Sequence, residues 1–152
     1  MNQEKIITVQ NLTKTFGTFT AVKGISFDVY KGEIFGFLGA NGAGKTTAMK
    51  MLIGISKPSS GKAVVAGYDV VENTESVKKS IGYMSQKFSL YDDLTVEENI
   101  KFFGGIYGLS RKVIKERTDE LMDWLNITHL RKTLVASIPL GWKQKIAFAV
   151  SV

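Results

Sequence analysis

A glycine-rich run, Gly39-Ala40-Asn41-Gly42-Ala43-Gly44-Lys45-Thr46, restricts this chain more than any other feature it carries. The run has the form G-x-x-x-x-G-K-[ST], which holds a phosphate only where a strand feeds the loop and a helix leaves it. Ile34, Phe35, Phe37 and Leu38 are apolar on both faces, which predicts a strand inside a parallel sheet covered by helices on either side. Residues 45–53 predict a helix, with Gly54 suited to its end and Pro58-Ser59-Ser60-Gly61 to a turn. Each loop position has a physical task. Gly39, Gly42 and Gly44, with Asn41 and Ala43 among them, let backbone N–H groups curl around phosphate oxygens, and the helix start adds favourable potential. Lys45 supplies a mobile positive charge, the Thr46 hydroxyl is a hard oxygen donor for Mg²⁺, and Thr47 completes the candidate set.

The rest of the chain alternates strand, loop and helix patterns, which argues for an α/β fold. Ile25, Phe27 and Val29 alternate with Ser26, Asp28 and Tyr30, the period of a strand with one wet face. Residues 62–66 and 81–84 predict further strands, and residues 75–80 a short helix. Thr95 and Glu98 form a capping-box pattern before Ile100, Phe103 and Tyr107 on one helical face. Ser110 is placed to cap a helix that buries Val113, Ile114, Leu121, Trp124 and Leu125. A last helix from about Gly141 puts Trp142, Ile146, Ala149 and Val150 on a shared face. The helical stretch between Thr95 and Asn126 reads as a subdomain attached to the α/β part.

A chain of 152 residues, 44% of them apolar, suffices for one domain without disulfides or metal to hold it. The absence of cysteine is compatible with a reducing compartment but does not require one. No apolar stretch is long enough for a signal peptide or a membrane span, so any membrane role is expected to come through a partner. The net charge of +6 is spread along the chain in short clusters such as Lys78-Lys79 and Arg131-Lys132. Such scatter reads as a solvated surface and not as a nucleic-acid face.

Outward from the glycine loop, the whole chain resembles the nucleotide-binding subunits of ATP-binding-cassette (ABC) transporters. Lys14-Thr15-Phe16-Gly17 resembles the family's aromatic loop, which implies that Phe16 lies against the adenine ring; taken alone, a phenylalanine there reads as a core residue. Tyr83-Met84-Ser85-Gln86 resembles the strand end that carries the glutamine loop, which implies that Gln86 touches Mg²⁺ or the attacking water. The stretch 87–100, with Phe102, Phe103 and Ile106-Tyr107-Gly108, resembles the ABC-2 or drug-exporter-like subunits; on residue type alone, Phe88 and Tyr91 suit the core of the helical insertion equally well. The resemblance implies a P-loop NTPase core of ABC type with an antiparallel β subdomain and an α-helical subdomain. Its expected parts are the β subdomain and loop core over 1–90, the helical subdomain over 91–136, and the signature region with the start of the next helix over 137–152.

The family's signature is Leu-Ser-Gly-Gly-Gln, which meets the γ-phosphate of an ATP held by the opposing subunit. Here the chain reads Ser137-Ile138-Pro139-Leu140-Gly141-Trp142-Lys143-Gln144, so Pro139 replaces the serine, Leu140 the first glycine, and Gly141 alone is unaltered. Proline offers no hydroxyl and no N–H, and a leucine side chain crowds the place where backbone meets phosphate. The same stretch also reads as a plain helix entry with a proline at its start. The resemblance places the Walker B strand, its aspartate, the catalytic glutamate and the switch histidine beyond Val152, and His129 precedes the signature and is not that histidine. With no catalytic group assigned to these residues, the 152-residue chain is expected to bind nucleotide weakly at best and to hydrolyse little. The resemblance implies ATP and Mg²⁺ as cofactors. As partners it implies transmembrane permease subunits and a second nucleotide-binding domain, identical or not, with no nucleic acid. The chain is then peripheral, at the cytoplasmic face of the membrane, in a protein that exports a substrate. Two other readings remain open: a module that occupies nucleotide without turnover, and a soluble cassette protein acting on ribosomes or DNA.

Overall fold

The computed structural model describes residues 3–85 and 90–151. The chain folds as two compact units, Met1–Ile81 and Gly82–Val152.

In the first unit, β1 (Lys5–Phe16) and β2 (Phe19–Tyr30) form a long antiparallel hairpin. β3 (Ser60–Val65) and the short β4 (Tyr68–Asp69) extend it into a four-stranded sheet of order β2-β1-β3-β4, each neighbouring pair antiparallel. Strict alternation fails on β1, where both Val9 and Leu12 are buried three positions apart. A register irregularity between them swings the strand so that both side chains reach the core. α1 (Lys45–Leu52) lays Ala48, Met51 and Leu52 on the same core, joined by Val22, Ala63, Val65, Val70 and Val77. α2 (Thr74–Lys79) contributes Val77, the single buried residue of its short length.

The run 34–38 departs from its predicted strand. Phe35 stacks on Phe27 with ring centroids 5.1 Å apart and Phe37 tilts against the same ring at 5.6 Å, but Ile34 is 100% and Leu38 94% exposed. Apolar side chains alone do not make a strand; a neighbour must take up the backbone N–H and C=O groups, and no described segment pairs with this one. Residues 81–84, also predicted as a strand, join no ladder among the described residues, with Tyr83 and Met84 exposed.

The second unit is helical: α3 (Val96–Ile106), α4 (Arg111–Trp124) and α5 (Leu140–Ala149), with single 3₁₀ turns at Thr128–Leu130 and Val135–Ser137. α3 begins at the capping box its sequence announced. Glu98 N–H donates to Thr95 Oγ1 at 3.2 Å, and Thr95 N–H donates to Glu98 Oε2 at 2.8 Å. Ser110 caps α4, its Oγ accepting from Val113 N–H at 3.4 Å. Val96, Ile100, Met122, Ile127, Val135, Ile138 and Ile146 form the core. α4 presents only part of the stripe expected: Leu121 and Leu125 pack half-buried against that core and Ile114 is half-buried, but the fully buried residues are Thr118 and Met122, whereas Val113 is exposed and Trp124 is 72% exposed. Thr118 tolerates burial because its hydroxyl donates to the Ile114 carbonyl at 2.6 Å, one turn back. Asn99, also buried, accepts from Tyr91 N–H at 2.8 Å and donates to the Tyr91 and Thr95 carbonyls at 3.0 Å, fastening the preceding turn to α3.

Candidate functional site

The glycine loop leads directly into α1, and its backbone takes a shape that most residues resist. Gly42 and Gly44 both sit at φ +82°, in the left-handed region. Gly44 is constrained twice, since a Cβ there would run into the Ala21 carbonyl of β2, while one at Gly42 would meet open space. Ala43 N–H closes the loop's tip on the Ala40 carbonyl at 3.2 Å.

The electrostatics of the loop favour an anion. Gly44 is the N-cap of α1 and offers no side-chain acceptor, and the first turn contains no acidic residue. The N–H groups of that turn, which a helix cannot satisfy internally, therefore meet no protein cap. Lys45 folds back over the loop, its Nζ donating to the Gly39 carbonyl at 2.6 Å and to the Ala40 carbonyl at 2.8 Å. Both bonds are to neutral carbonyls, so the ammonium charge remains free to turn toward a phosphate. Thr46 is exposed and Thr47 half-buried at the helix start, next to the exposed Gly39 and Asn41. Buried Ala48, Met51 and Leu52 one turn on fix α1 to the core and so fix the loop.

A cavity of about 420 Å³ opens beside the loop. Gly42, Ala43 and Gly44 line one side, and Phe19, Lys23 and Phe37 are among the residues lining the rest. Phe16, the aromatic singled out from sequence, is no core residue: it is 54% exposed, with the Lys14 ammonium 5.1 Å from its ring centroid. It is not among the cavity's lining residues, whereas Phe19, its cross-strand partner in the hairpin, is. Sequence reading did not single out Phe19, whose place on the cavity wall follows from a hairpin register that the sequence does not mark. Gln86, and Phe88 with it, lie outside the described residues.

In the second unit Pro139 is the N-cap of α5, at φ −57° and ψ 146°, and its carbonyl accepts from the N–H groups of Trp142 at 2.9 Å and Lys143 at 3.1 Å. Leu140 is 61% exposed, and Gly141 is exposed with nothing near the position of an added Cβ. Lys145 lies over the Trp142 ring at 4.6 Å. The carboxylates nearby are engaged in structure: Asp92 pairs with Lys143 at 2.8 Å, Glu97 with Lys101 and Arg131, and Glu98 closes its cap. Contacts to Lys101 first, and to Arg131, hold the Glu97 carboxyl below its ordinary range. Among the described residues no group of three or more His, Cys, Asp or Glu side chains is placed to hold a metal ion.

The sequence profile of the ABC transporter family matches residues 22–152. The chain belongs to that family. Among curated relatives of this ABC-family chain, the probable multidrug ABC transporter ATP-binding protein YbhF of Escherichia coli is 43% identical over 97% of the chain and 26% of its own length. The linearmycin resistance ATP-binding protein LnrL of Bacillus subtilis is 38% identical over 93% of the chain and 45% of its own length. Of solved structures, cbiO1 from Clostridium perfringens, described as part of the ABC transporter complex cbiONQ, superposes with a TM-score of 0.85 at 26% identity, over 98% of this chain and 61% of that one. The chain thus spans less than half the length of these two curated relatives. The ABC ATPase fold expected from the resemblance is the observed one, with a mixed α/β unit built on an antiparallel sheet. Among the described residues, no helix is long and apolar enough to cross a membrane.

Proposed function

We propose that this chain binds ATP with Mg²⁺ and serves as the ATP-binding subunit of a membrane exporter. The observation that carries the reading is the loop itself: two left-handed glycines, an uncapped helix start free of acidic residues, and Lys45 folded over the phosphate position. Gly39, Asn41, Gly42, Ala43, Gly44 and Thr47 line the phosphate end with backbone and small side chains, Lys45 turns its charge to the β- and γ-phosphates, and the Thr46 hydroxyl offers Mg²⁺ a hard oxygen. Gln86 is proposed as a second contact to the metal or the attacking water, and Phe16 as part of the adenine side. Bound Mg²⁺ would supply charge neutralisation across the terminal phosphates.

The names of the relatives support export, since YbhF is named as a probable multidrug ABC transporter ATP-binding protein and LnrL as a linearmycin resistance ATP-binding protein. Transmembrane permease subunits and a second nucleotide-binding domain are the proposed partners, which sets the chain peripherally at the cytoplasmic membrane face. Pro139, Leu140 and Gly141 are proposed to face the opposing subunit's ATP through the start of α5, with weaker phosphate contact than Ser-Gly-Gly would give. On the same reading the 152-residue chain binds nucleotide without turning it over, since beyond the proposed Gln86 contact no carboxylate in it is assigned to hold the metal or activate the attacking water.

Calorimetric titration with ATP, the chain beside its Lys45→Ala variant, tests the binding reading. Charge-assisted contacts contribute about 1.5–3 kcal/mol each, so Lys45→Ala is expected to weaken binding tenfold or more, as about 1.4 kcal/mol is tenfold. Equal affinities would overturn it. A phosphate-release assay on the same samples is expected to show no turnover above the variant.

A further inference from the structure

The positive charge of this chain is scattered overall, but on α4 it is sorted. Arg111, Lys112 and Lys115 come first along the helix; Glu116, Asp119, Glu120 and Asp123 follow, with Arg117 the one cation among them. That order opposes the helix dipole, which favours acids at the start and cations at the end, and no acidic side chain stands in the first turn to offset it. All three leading cations are exposed, and among the described residues none forms an ion pair, whereas Lys101, Arg117 and Arg131 of the same unit each do. The arrangement costs the helix and gains it no partner. Beside these cations the apolar side chains are uncovered too. Ile106 is 62% and Tyr107 56% exposed, and Leu109 in the same turn is also exposed. The turn is held firmly, with Tyr107 N–H donating to the Phe103 carbonyl and Leu109 N–H to the Gly104 carbonyl, both at 3.0 Å. Gly104 lets the end of α3 close against the start of α4, since a Cβ there would lie 3.0 Å from the Ile114 side chain. Exposed apolar groups and unpaired cations therefore share one end of the α3–α4 pair.

We infer that this end of the α3–α4 pair is a contact surface for anionic lipid headgroups, with Arg111, Lys112 and Lys115 on the headgroup phosphates and Ile106, Tyr107 and Leu109 in the interfacial layer. The negative surface potential of a bilayer draws the cations, and its interface takes up apolar and aromatic side chains that water leaves bare. A lipid surface answers both halves of the patch at once, whereas an acidic protein segment answers the charge alone. The inference goes beyond a membrane role exerted through permease partners. It does not depend on nucleotide at the glycine loop, so either can fail without the other.

The experiment floats the 152-residue chain with phosphatidylcholine vesicles and with vesicles in which about a third of the lipid is phosphatidylglycerol. The parent is compared with Ile106→Ser and with a triple variant, Arg111→Gln with Lys112→Gln and Lys115→Gln. A charge-matched control, Lys50→Gln with Lys57→Gln and Lys62→Gln, removes three exposed lysines of the first unit. The parent is expected to float with the anionic vesicles and not with the neutral ones. The α4 triple variant should weaken that binding at least tenfold and Ile106→Ser about threefold, with the control within about twofold of the parent. Because the leading cations oppose the dipole, the triple variant is expected to melt no lower than the parent. Equal binding to neutral vesicles, an equal loss in the control, an unchanged Ile106→Ser, or a triple variant that melts lower would each overturn the inference. So would a parent that does not float with anionic vesicles; binding of a polyglutamate peptide in their place, lost in the triple variant, would assign the patch to an acidic protein.

Discussion

Gly42 and Gly44 share a φ of +82°, yet their surroundings set them apart. A side chain at Gly42 meets only the left-handed backbone cost, about 1–2 kcal/mol. One at Gly44 meets that cost and the Ala21 carbonyl as well, so strand and loop must separate. Gly42→Ala is expected to lower the melting temperature of the first unit by roughly 4–8 °C per kcal/mol lost and to keep ATP binding measurable. Gly44→Ala should lower it further and abolish binding; equal effects of the two variants on melting and affinity would contradict the loop geometry. The motif residues were legible because spacing alone fixes their order along the loop and into a helix. The place of Phe19 on the cavity wall was not, because it depends on the register of the β1–β2 hairpin, which shifts at positions no periodicity marks. Asn99 was equally hidden: a polar residue on an apolar helical face is legible as buried only once its partners at Tyr91 and Thr95 are in place.

Helix starts were the most legible elements, since Thr95, Glu98 and Ser110 carry their function in local side-chain chemistry that needs no tertiary partner. The runs 34–38 and 81–84 were the least, because an apolar pattern specifies a buried face and leaves open whether a neighbour completes the ladder. α3 also bears a pH response. Glu97 is held below its ordinary value of 4.5 by Lys101 and Arg131, and Glu98 by the Thr95 N–H and hydroxyl. Carboxylates depressed in the folded state contribute stability that is complete above the unfolded value and is lost as pH falls through the folded one. Thermal melts of the second unit should therefore hold steady from pH 7 to 5 and fall below about pH 4.5. In a Glu97→Gln variant the fall should be shallower, and an identical acid slope would contradict the pairing.

For the molecule as a whole, the bare run Ile34 to Leu38 is the main liability. Ile34 at 100% and Leu38 at 94% exposure lie on a segment whose backbone has no ladder partner among the described residues, a template for another chain. Light scattering is expected to show concentration-dependent self-association of the 152-residue chain, reduced by Ile34→Lys; a monodisperse parent would refute this. The central claim is narrower, that nucleotide sits at the start of α1, and amide chemical-shift mapping during titration with Mg²⁺-ATP tests it most directly. The account predicts that the largest shifts fall on the amides of Gly42, Ala43, Gly44, Lys45, Thr46 and Thr47, and that Lys45→Ala suppresses them. Shifts centred instead on the apolar groove of the second unit, around Phe103, Tyr107, Trp124 and Phe148, would contradict it.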